Sequence, residues 1–482
     1  MADSIPSQDQ IRFAIVGGGI SGLTAAYRLI KLQPGASVEL FEASPNLGGV
    51  LQTHSSGDLL IEQGADSFFN KLPWASELCE ELGLADELIP TNSGERRAFV
   101  VRSGKLHPVP TGFVVIRPLK IGPMLRTPLL SWSAKIRLLC ERWVPPTPGI
   151  ERHDFDESVA SFATRRLGKE TFQQLVQPLL AGIYTADPAK LSLAATMPET
   201  IQEVRQFGSL YQASLAKRKD PEALASGARY ARFVTLRGGL GKLIEKLASH
   251  LSEGSIHCST PINRLQQDSS SEWLLSTRDG TQYGPYQGVV VGLPAPRAAE
   301  LLANTDSHLQ QLMQRITYAS SAVVSLAFSS SQLREKASGF GFVVPTVENR
   351  RIVAASFSSK KFRGRAPEDQ FLVRVFLGGA LQPEILQLQD DQIVELARSE
   401  LSELLNIQGI PLHTDLVRWQ EKMPQYHVGH VQLVAEIEQQ VEKLAGLELA
   451  GNAYHGVGIP QCVDSGNKAA RRMADYCTKL NH

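Results

Sequence analysis

The chain has 482 residues with 49 basic and 49 acidic side chains, so its formal net charge is zero, which argues against a general nucleic-acid binder that must displace counterions. With 43% hydrophobic and 20% charged residues it reads as a globular protein with ample core, and no apolar run reaches the roughly 18–20 residues of a membrane span. Its five cysteines are scattered with no CxxC pair, so neither a disulfide framework nor a structural zinc site is expected, and a reduced, cytoplasmic compartment fits.

Residues 1–11, "MADSIPSQDQI", lack the charged start and apolar core of a signal peptide and are expected to form a disordered lead-in. Arg12 to Val16 then reads as a strand. Gly17, Gly19 and Gly22 give G-x-G-x-x-G, and Ile20, Leu23, Tyr27 and Ile30 recur at helical spacing, so a helix begins at the turn. The first glycine permits the tight turn, the second lets a pyrophosphate approach the backbone, and the third lets helix pack on strand. The free N–H groups of the helix start complete a candidate phosphate cradle. A second strand, "SVELFEA", brings Glu42 20 residues after Gly22, where a carboxylate can accept hydrogen bonds from ribose hydroxyls. NAD and FAD both satisfy the pattern to this point.

The stretch "EASPNLGGVLQT" places paired glycines after that strand, and "IEQGADSF" follows at 61–68. "VRSGKLHPVPTG" (101–112) predicts a hairpin and a loop. Residues 113–144 mix apolar and basic side chains and allow two readings: helices lining a substrate cavity, or a helical surface touching a bilayer interface. "PPTPG" (145–149) breaks the chain. Val159, Phe162, Ala163 and Leu167 predict one helix face ending at Gly168, and Phe172, Leu175, Val176, Leu179 and Leu180 predict a second apolar stripe. At 235–251 a glycine turn precedes an amphipathic helix without the nucleotide fingerprint. "IHCSTPINRL" (256–265) and "GVVVGLPAP" (288–296) read as strands returning to the first sheet, and 448–477 as strand, glycine-rich turn and helix. The expected class is therefore α/β, with a discontinuous Rossmann-like domain from 12–95, 230–300 and 430–482. A helical domain (96–229) and an α+β domain (301–429) are inserted. His427 and His430 lack Cys or carboxylate partners at ligand spacing and read as structural; no metal is assigned.

An acidic strand end followed by a paired-glycine loop resembles the flavin amine oxidases and their relatives, which hold FAD. Many of those carry Arg in the loop, where this chain has Leu47 and Val50. Nearly end to end, the chain resembles the oxygen-dependent protoporphyrinogen oxidases and coproporphyrinogen III oxidases, closest to the soluble Gram-positive type. "QPLLAGIYTADPAKLSL" and "RWQEKMPQYHVGH" carry the resemblance most specifically. It implies an FAD-binding domain, an α+β substrate-binding domain and a helical membrane-facing domain. It implies one non-covalent FAD and a six-electron oxidation of coproporphyrinogen III or protoporphyrinogen IX by O2 in haem biosynthesis, with release of hydrogen peroxide. Flavin N5 is expected to carry the chemistry, so no side chain is assigned as catalytic. The resemblance allows a monomer or homodimer, peripheral membrane contact and handover to a ferrochelatase.

Carried onto this chain, the resemblance places Gly17, Gly18, Gly19, Ile20, Ser21 and Gly22 on the pyrophosphate, and Glu42 with Ala43 on the ribose. Gly49, Val50, Gly64, Ala65, Asp66 and Ser67 fall near the flavin, Ile262 on the adenine side, and Trp419, Val457, Gly458 and Ile459 against the cofactor. Phe340, Gly341, Val343 and Phe376 match positions that sandwich a porphyrin ring. An Arg that pairs with a propionate in many relatives corresponds here to Ala98, which leaves Lys71, Arg96 and Arg97 as candidates. The alternatives are another FAD oxidoreductase of the amine oxidase or carotenoid desaturase kind, and a non-catalytic porphyrin carrier.

Overall fold

The structure, a computed structural model, describes residues 10–216, 233–334 and 337–480; the lead-in expected at 1–11 lies almost wholly outside the described residues. Five parallel strands form one sheet in the order Ile256–His257, Ser37–Phe41, Arg12–Val16, Gly288–Val291, Leu447–Leu449. This is the expected α/β arrangement, and it is built from four separated stretches of chain. Its central strands, Phe13 to Val16 and Val289 to Val291, are apolar on both faces because both are covered. Phe13 and Ile15 enter one core, while Ala14 and Val16 enter another. The helix Ile20–Leu32 and the C-terminal helix Ile459–Leu480 lie on the first face. They approach closely at Gly466, where a Cβ would stand 2.4 Å from the Ser21 carbonyl oxygen.

The stretch 256–265 departs from expectation. Ile256–His257 joins the parallel sheet, but Ile262–Gln267 belongs to a three-stranded antiparallel sheet with Trp273–Thr277 and Gln282–Tyr286. Ser259, at φ +54°, and Pro261 turn the chain between them.

A seven-stranded sheet runs His413–Pro424, Tyr318–Ser329, Gln370–Gly378, Ala354–Ser356, Gly341–Val343, Phe99–Arg102, Lys105–Pro108. The last two are the hairpin expected from "VRSGKLHPVP", and they extend this sheet at its edge. One face packs on Asp390–Leu405 through Val324, Leu326, Phe342 and Val375.

The helices between 121 and 216 enclose a core of Phe162, Leu175, Val176, Leu180 and Leu193. Val159–Leu167 starts at Ser158, whose side chain accepts from Ser161 N, and stops at Gly168 at φ +89°, as its pattern predicts. In 113–144 a short hairpin, Phe113–Val114 with Arg117–Pro118, precedes the helices. Met124, Leu129, Leu130, Ala134 and Leu138 are buried in the core. Trp132 (73%), Ile136 (61%) and Trp143 (66%) are exposed on the outer side. No helix among the described residues is long and apolar enough to cross a membrane.

Candidate cofactor and substrate site

The glycine turn is closed by steric necessity. Gly17 sits at φ +111°, and its N–H donates to the Phe41 carbonyl at 2.8 Å. A Cβ on Gly22 would lie 2.0 Å from the Gly17 carbonyl oxygen, which explains the third glycine. Gly19 differs: a Cβ there would meet no protein atom within 4 Å. Gly19 is also the N-cap of Ile20–Leu32, with no side-chain cap and no acid in the first turn, so the first N–H groups are left for a ligand. Ile20 and Ser21, both buried, hold that first turn in place.

Glu42 stands at the end of the second strand. Its Oε2 accepts from Gly18 N at 2.7 Å and its Oε1 from Ser44 N at 2.9 Å, so the carboxylate is fixed beside the turn with lone pairs to spare. Ala43 is exposed next to it. Thr260 N donates to the Glu42 carbonyl at 2.9 Å, which brings the turn leading into Ile262 to the same corner. Ile262 itself is half-buried. The second glycine loop crosses the first: Gly48 N donates to Gly18 O at 2.8 Å, and a Cβ on Gly49 would lie 3.5 Å from the Gly19 Cα. These open glycines, an uncapped helix start and an anchored carboxylate fit the diphosphate and ribose of a dinucleotide.

The next loop is packed against that one. A Cβ on Gly64 would lie 1.8 Å from the Val50 carbonyl oxygen. From the other side, the seven-stranded sheet holds it. Trp419 Nε1 donates to the Gln63 carbonyl at 2.8 Å, and Arg374 donates to the Gly64 carbonyl. Asp66 is bound by Lys361 Nζ at 2.8 Å, by Arg374 at 3.4 Å and by the Ser67 hydroxyl at 2.7 Å. Burial alone would raise the Asp66 carboxyl, but Lys361 and Arg374 outweigh it and hold it well below the usual carboxylate range. Ala65 is exposed between these anchored neighbours.

Register places the expected ring contacts side by side. Val343 pairs with Ala354, Ala354 with Phe376, and Phe376 with Val323. One step along, Gly341 pairs with Ser356 and Ser356 with Arg374. Residues in register on neighbouring strands share a face, so Gly341, Val343, Phe376 and Arg374 lie on the face that carries Arg374 to the Gly64 loop. Gly341 has φ +137°, and a Cβ there would stand 2.0 Å from the Ala355 carbonyl oxygen. Val343 touches the helical layer at Gly182, where a Cβ would be 3.3 Å from its Cγ1. Phe340 is buried at the start of this strand, its N–H donating to the Arg97 carbonyl at 2.7 Å. Among the candidate bases, Lys71 and Arg97 are exposed and Arg96 is half-buried. Arg96 Nε is buried with no partner among the described residues.

The two stretches that carried the resemblance meet each other. Ser192 N donates to the Tyr426 carbonyl at 2.7 Å, and Val428 N to the Lys190 carbonyl at 2.9 Å. The Tyr426 hydroxyl accepts from Gly456 N at 2.9 Å and donates to the Asn452 carbonyl. It thereby fixes the turn holding Val457, Gly458 and Ile459; Val457 and Gly458 are half-buried and Ile459 begins the C-terminal helix. His430 stacks on Tyr426 with ring centres 3.9 Å apart, and its Nε2 lies 3.1 Å from the Tyr454 carbonyl. Burial lowers the His430 imidazole to about 4, so it is a neutral packing element at pH 7. Lys361, Arg374, Tyr426 and Gly182 were missed by sequence reasoning. Arg374 did leave a signal: it is the single cation in the otherwise apolar "FLVRVFLGG".

Residues 20–474 match the model of the flavin-containing amine oxidoreductases. The coproporphyrinogen III oxidase of Bacillus subtilis is 33% identical over 96% of this chain and 97% of its own length. Protoporphyrinogen oxidase 2, chloroplastic/mitochondrial, of Arabidopsis thaliana is 26% identical over 96% of this chain and 94% of its own. A crystal structure from Exiguobacterium sp. 255-15, provisionally named a protoporphyrinogen oxidase, superposes with a TM-score of 0.85 at 28% identity, over 97% of this chain and 99% of that one.

Proposed function

Because the chain belongs to the flavin-containing amine oxidoreductase family, in its porphyrinogen oxidase branch, we propose that it oxidises coproporphyrinogen III to the porphyrin with O2 as acceptor. Its cofactor is FAD, which supplies the electron acceptor for the reaction when bound. Gly17 to Gly22 hold the pyrophosphate, Glu42 the ribose, and the loops around Val50 and Gly64–Ser67 the flavin side. The observation that carries the substrate reading is the flat row Val343–Ala354–Phe376, on the face of the sheet that also grips the Gly64 loop. A flat, largely apolar macrocycle fits such a surface, and the chain's work there is to orient the ring and exclude water. Arg96, with donors unspent, and the exposed Lys71 and Arg97 are the bases for the carboxylates. Protoporphyrinogen, after which the plant relative is named, is the less favoured substrate of this chain. Removing six electrons consumes three O2, so hydrogen peroxide and porphyrin should accumulate in a three-to-one ratio in a coupled peroxide and fluorescence assay. Porphyrin bound without peroxide formation would instead mark a carrier.

The outer face of 132–143 supports peripheral contact with a membrane. Trp132, Ile136, Leu139 and Trp143 are exposed, with Lys135 over the Trp132 ring at 4.7 Å and Arg142 over Trp143 at 3.9 Å. Between 113 and 144 the single acid, Glu141, is buried on Arg166, and Arg117 pairs with Glu203, which leaves Lys120, Arg126, Lys135, Arg137 and Arg142 in excess. Tryptophans flanked by cations suit an anionic lipid interface. Trp132→Ser with Trp143→Ser should lower binding to phosphatidylglycerol vesicles about 10–100-fold in a flotation assay, with kcat on dissolved substrate unchanged.

A further inference from the structure

We propose that Arg374 is a positioning residue that sets the Gly64–Ser67 loop against the cofactor from the large sheet, with Lys361 as its partner in anchoring Asp66. The proposal rests on the reading of that loop as the flavin side of the site. Arg374 is 1% exposed in the middle of a central strand, where a cation is costly unless paired. Its terminal nitrogens face the loop, one donating to the Gly64 carbonyl and the other 3.4 Å from Asp66, while the guanidinium lies over the Phe376 ring at 5.1 Å and Nε is buried without a hydrogen-bond partner among the described residues. Lys361 comes from a different element, Ser358–Lys361, and binds both Asp66 oxygens, at 2.8 and 3.0 Å, and the Ser67 hydroxyl at 3.1 Å. The Gly64 carbonyl, the Asp66 carboxylate and the Ser67 hydroxyl are thus held by Arg374 of the large sheet and by Lys361 of the short helix Ser358–Lys361.

This arrangement couples the two halves of the site. The loop cannot move toward Val50, because Gly64 already touches the Val50 carbonyl. It cannot move away without breaking the charge-assisted bonds to Arg374 and Lys361. The same guanidinium covers Phe376, in the row assigned to the substrate ring. One side chain therefore fixes the spacing between the flavin-side loop and the substrate-side face.

The test is the affinity of the folded apoprotein for FAD, from quenching of flavin fluorescence, together with the visible circular dichroism of the bound flavin, at pH 7. Arg374→Met should weaken FAD at least tenfold and alter the flavin dichroism. Arg374→Lys keeps the charge but cannot span Gly64 and Asp66 together, and should weaken FAD at least threefold. FAD affinity and dichroism within twofold of wild type in Arg374→Met would overturn the proposal; if that variant does not fold, the same result in Arg374→Lys overturns it. No porphyrinogen enters these measurements. Wild type that binds FAD but oxidises no porphyrinogen contradicts the proposed function alone, and normal FAD binding in the Arg374 variants contradicts this inference alone.

Discussion

Gly19→Ser is expected to weaken FAD at least tenfold while leaving the melting temperature of the apoprotein within about 2 °C of wild type, since serine is a preferred N-cap residue. The geometry separates the two effects. Gly19 has φ −73° and ψ 174°, an extended conformation open to any residue, and its Cβ would meet no protein atom within 4 Å. A serine there costs the fold nothing and enters the space left for the phosphates. Its hydroxyl also competes for the N–H groups that the ligand needs. Gly22→Ala should behave in the opposite way. Its Cβ, 2.0 Å from the Gly17 carbonyl oxygen, forces the helix off the strand, so stability falls by about 1–3 kcal/mol or more and FAD binding is lost with it. Differential scanning fluorimetry and FAD titration of both variants check this. Full FAD affinity in Gly19→Ser would mean that the turn is not the phosphate cradle.

Arg166→Met is expected to be the most damaging change in the helical layer, at about 3–5 kcal/mol. Arg166 is 0% and Glu141 1% exposed, paired at 3.0 Å. Arg166 also donates to the Val144 and Gly208 carbonyls, each at 3.2 Å. Glu141 accepts from Leu210 N at 3.0 Å and Tyr211 N at 2.9 Å, so it caps the helix Leu210–Ala216. Removing the arginine strands a carboxylate among apolar side chains. The double change Arg166→Met with Glu141→Gln should therefore lose clearly less than the two single losses added together, as measured by urea unfolding of this layer. Strict additivity would show that the pair is not coupled.

Local pattern made much of the nucleotide side legible. Three glycines, an apolar strand and a carboxylate at the end of the next strand are constrained by contacts within about 30 residues of each other, and the turn has the form those residues dictate. The helix over 159–167 was equally readable, because its serine cap and glycine stop are local. The path of 256–265 was not. Both pieces are strand-like, and only the left-handed Ser259 and Pro261 decide that the second leaves the parallel sheet. The anchors of the Gly64 loop were hidden for a different reason. Lys361 and Arg374 lie roughly 300 residues from Asp66 in the chain, and nothing in periodicity pairs a strand cation with a distant loop carbonyl. The lone arginine in "FLVRVFLGG" marked a buried charge without naming its partner. Resemblance singled out "QYHVGH", and the structure supplies a physical reason: Tyr426 ties the helical layer to the glycine turn at 456–458.

The most direct test of the central claim is to mix the FAD-loaded protein in air with anaerobically prepared coproporphyrinogen III, and separately with protoporphyrinogen IX, and to follow porphyrin fluorescence. The proposed function predicts turnover well above autoxidation, with the larger kcat/KM for coproporphyrinogen III. Rates no faster than the enzyme-free controls with both substrates would contradict it.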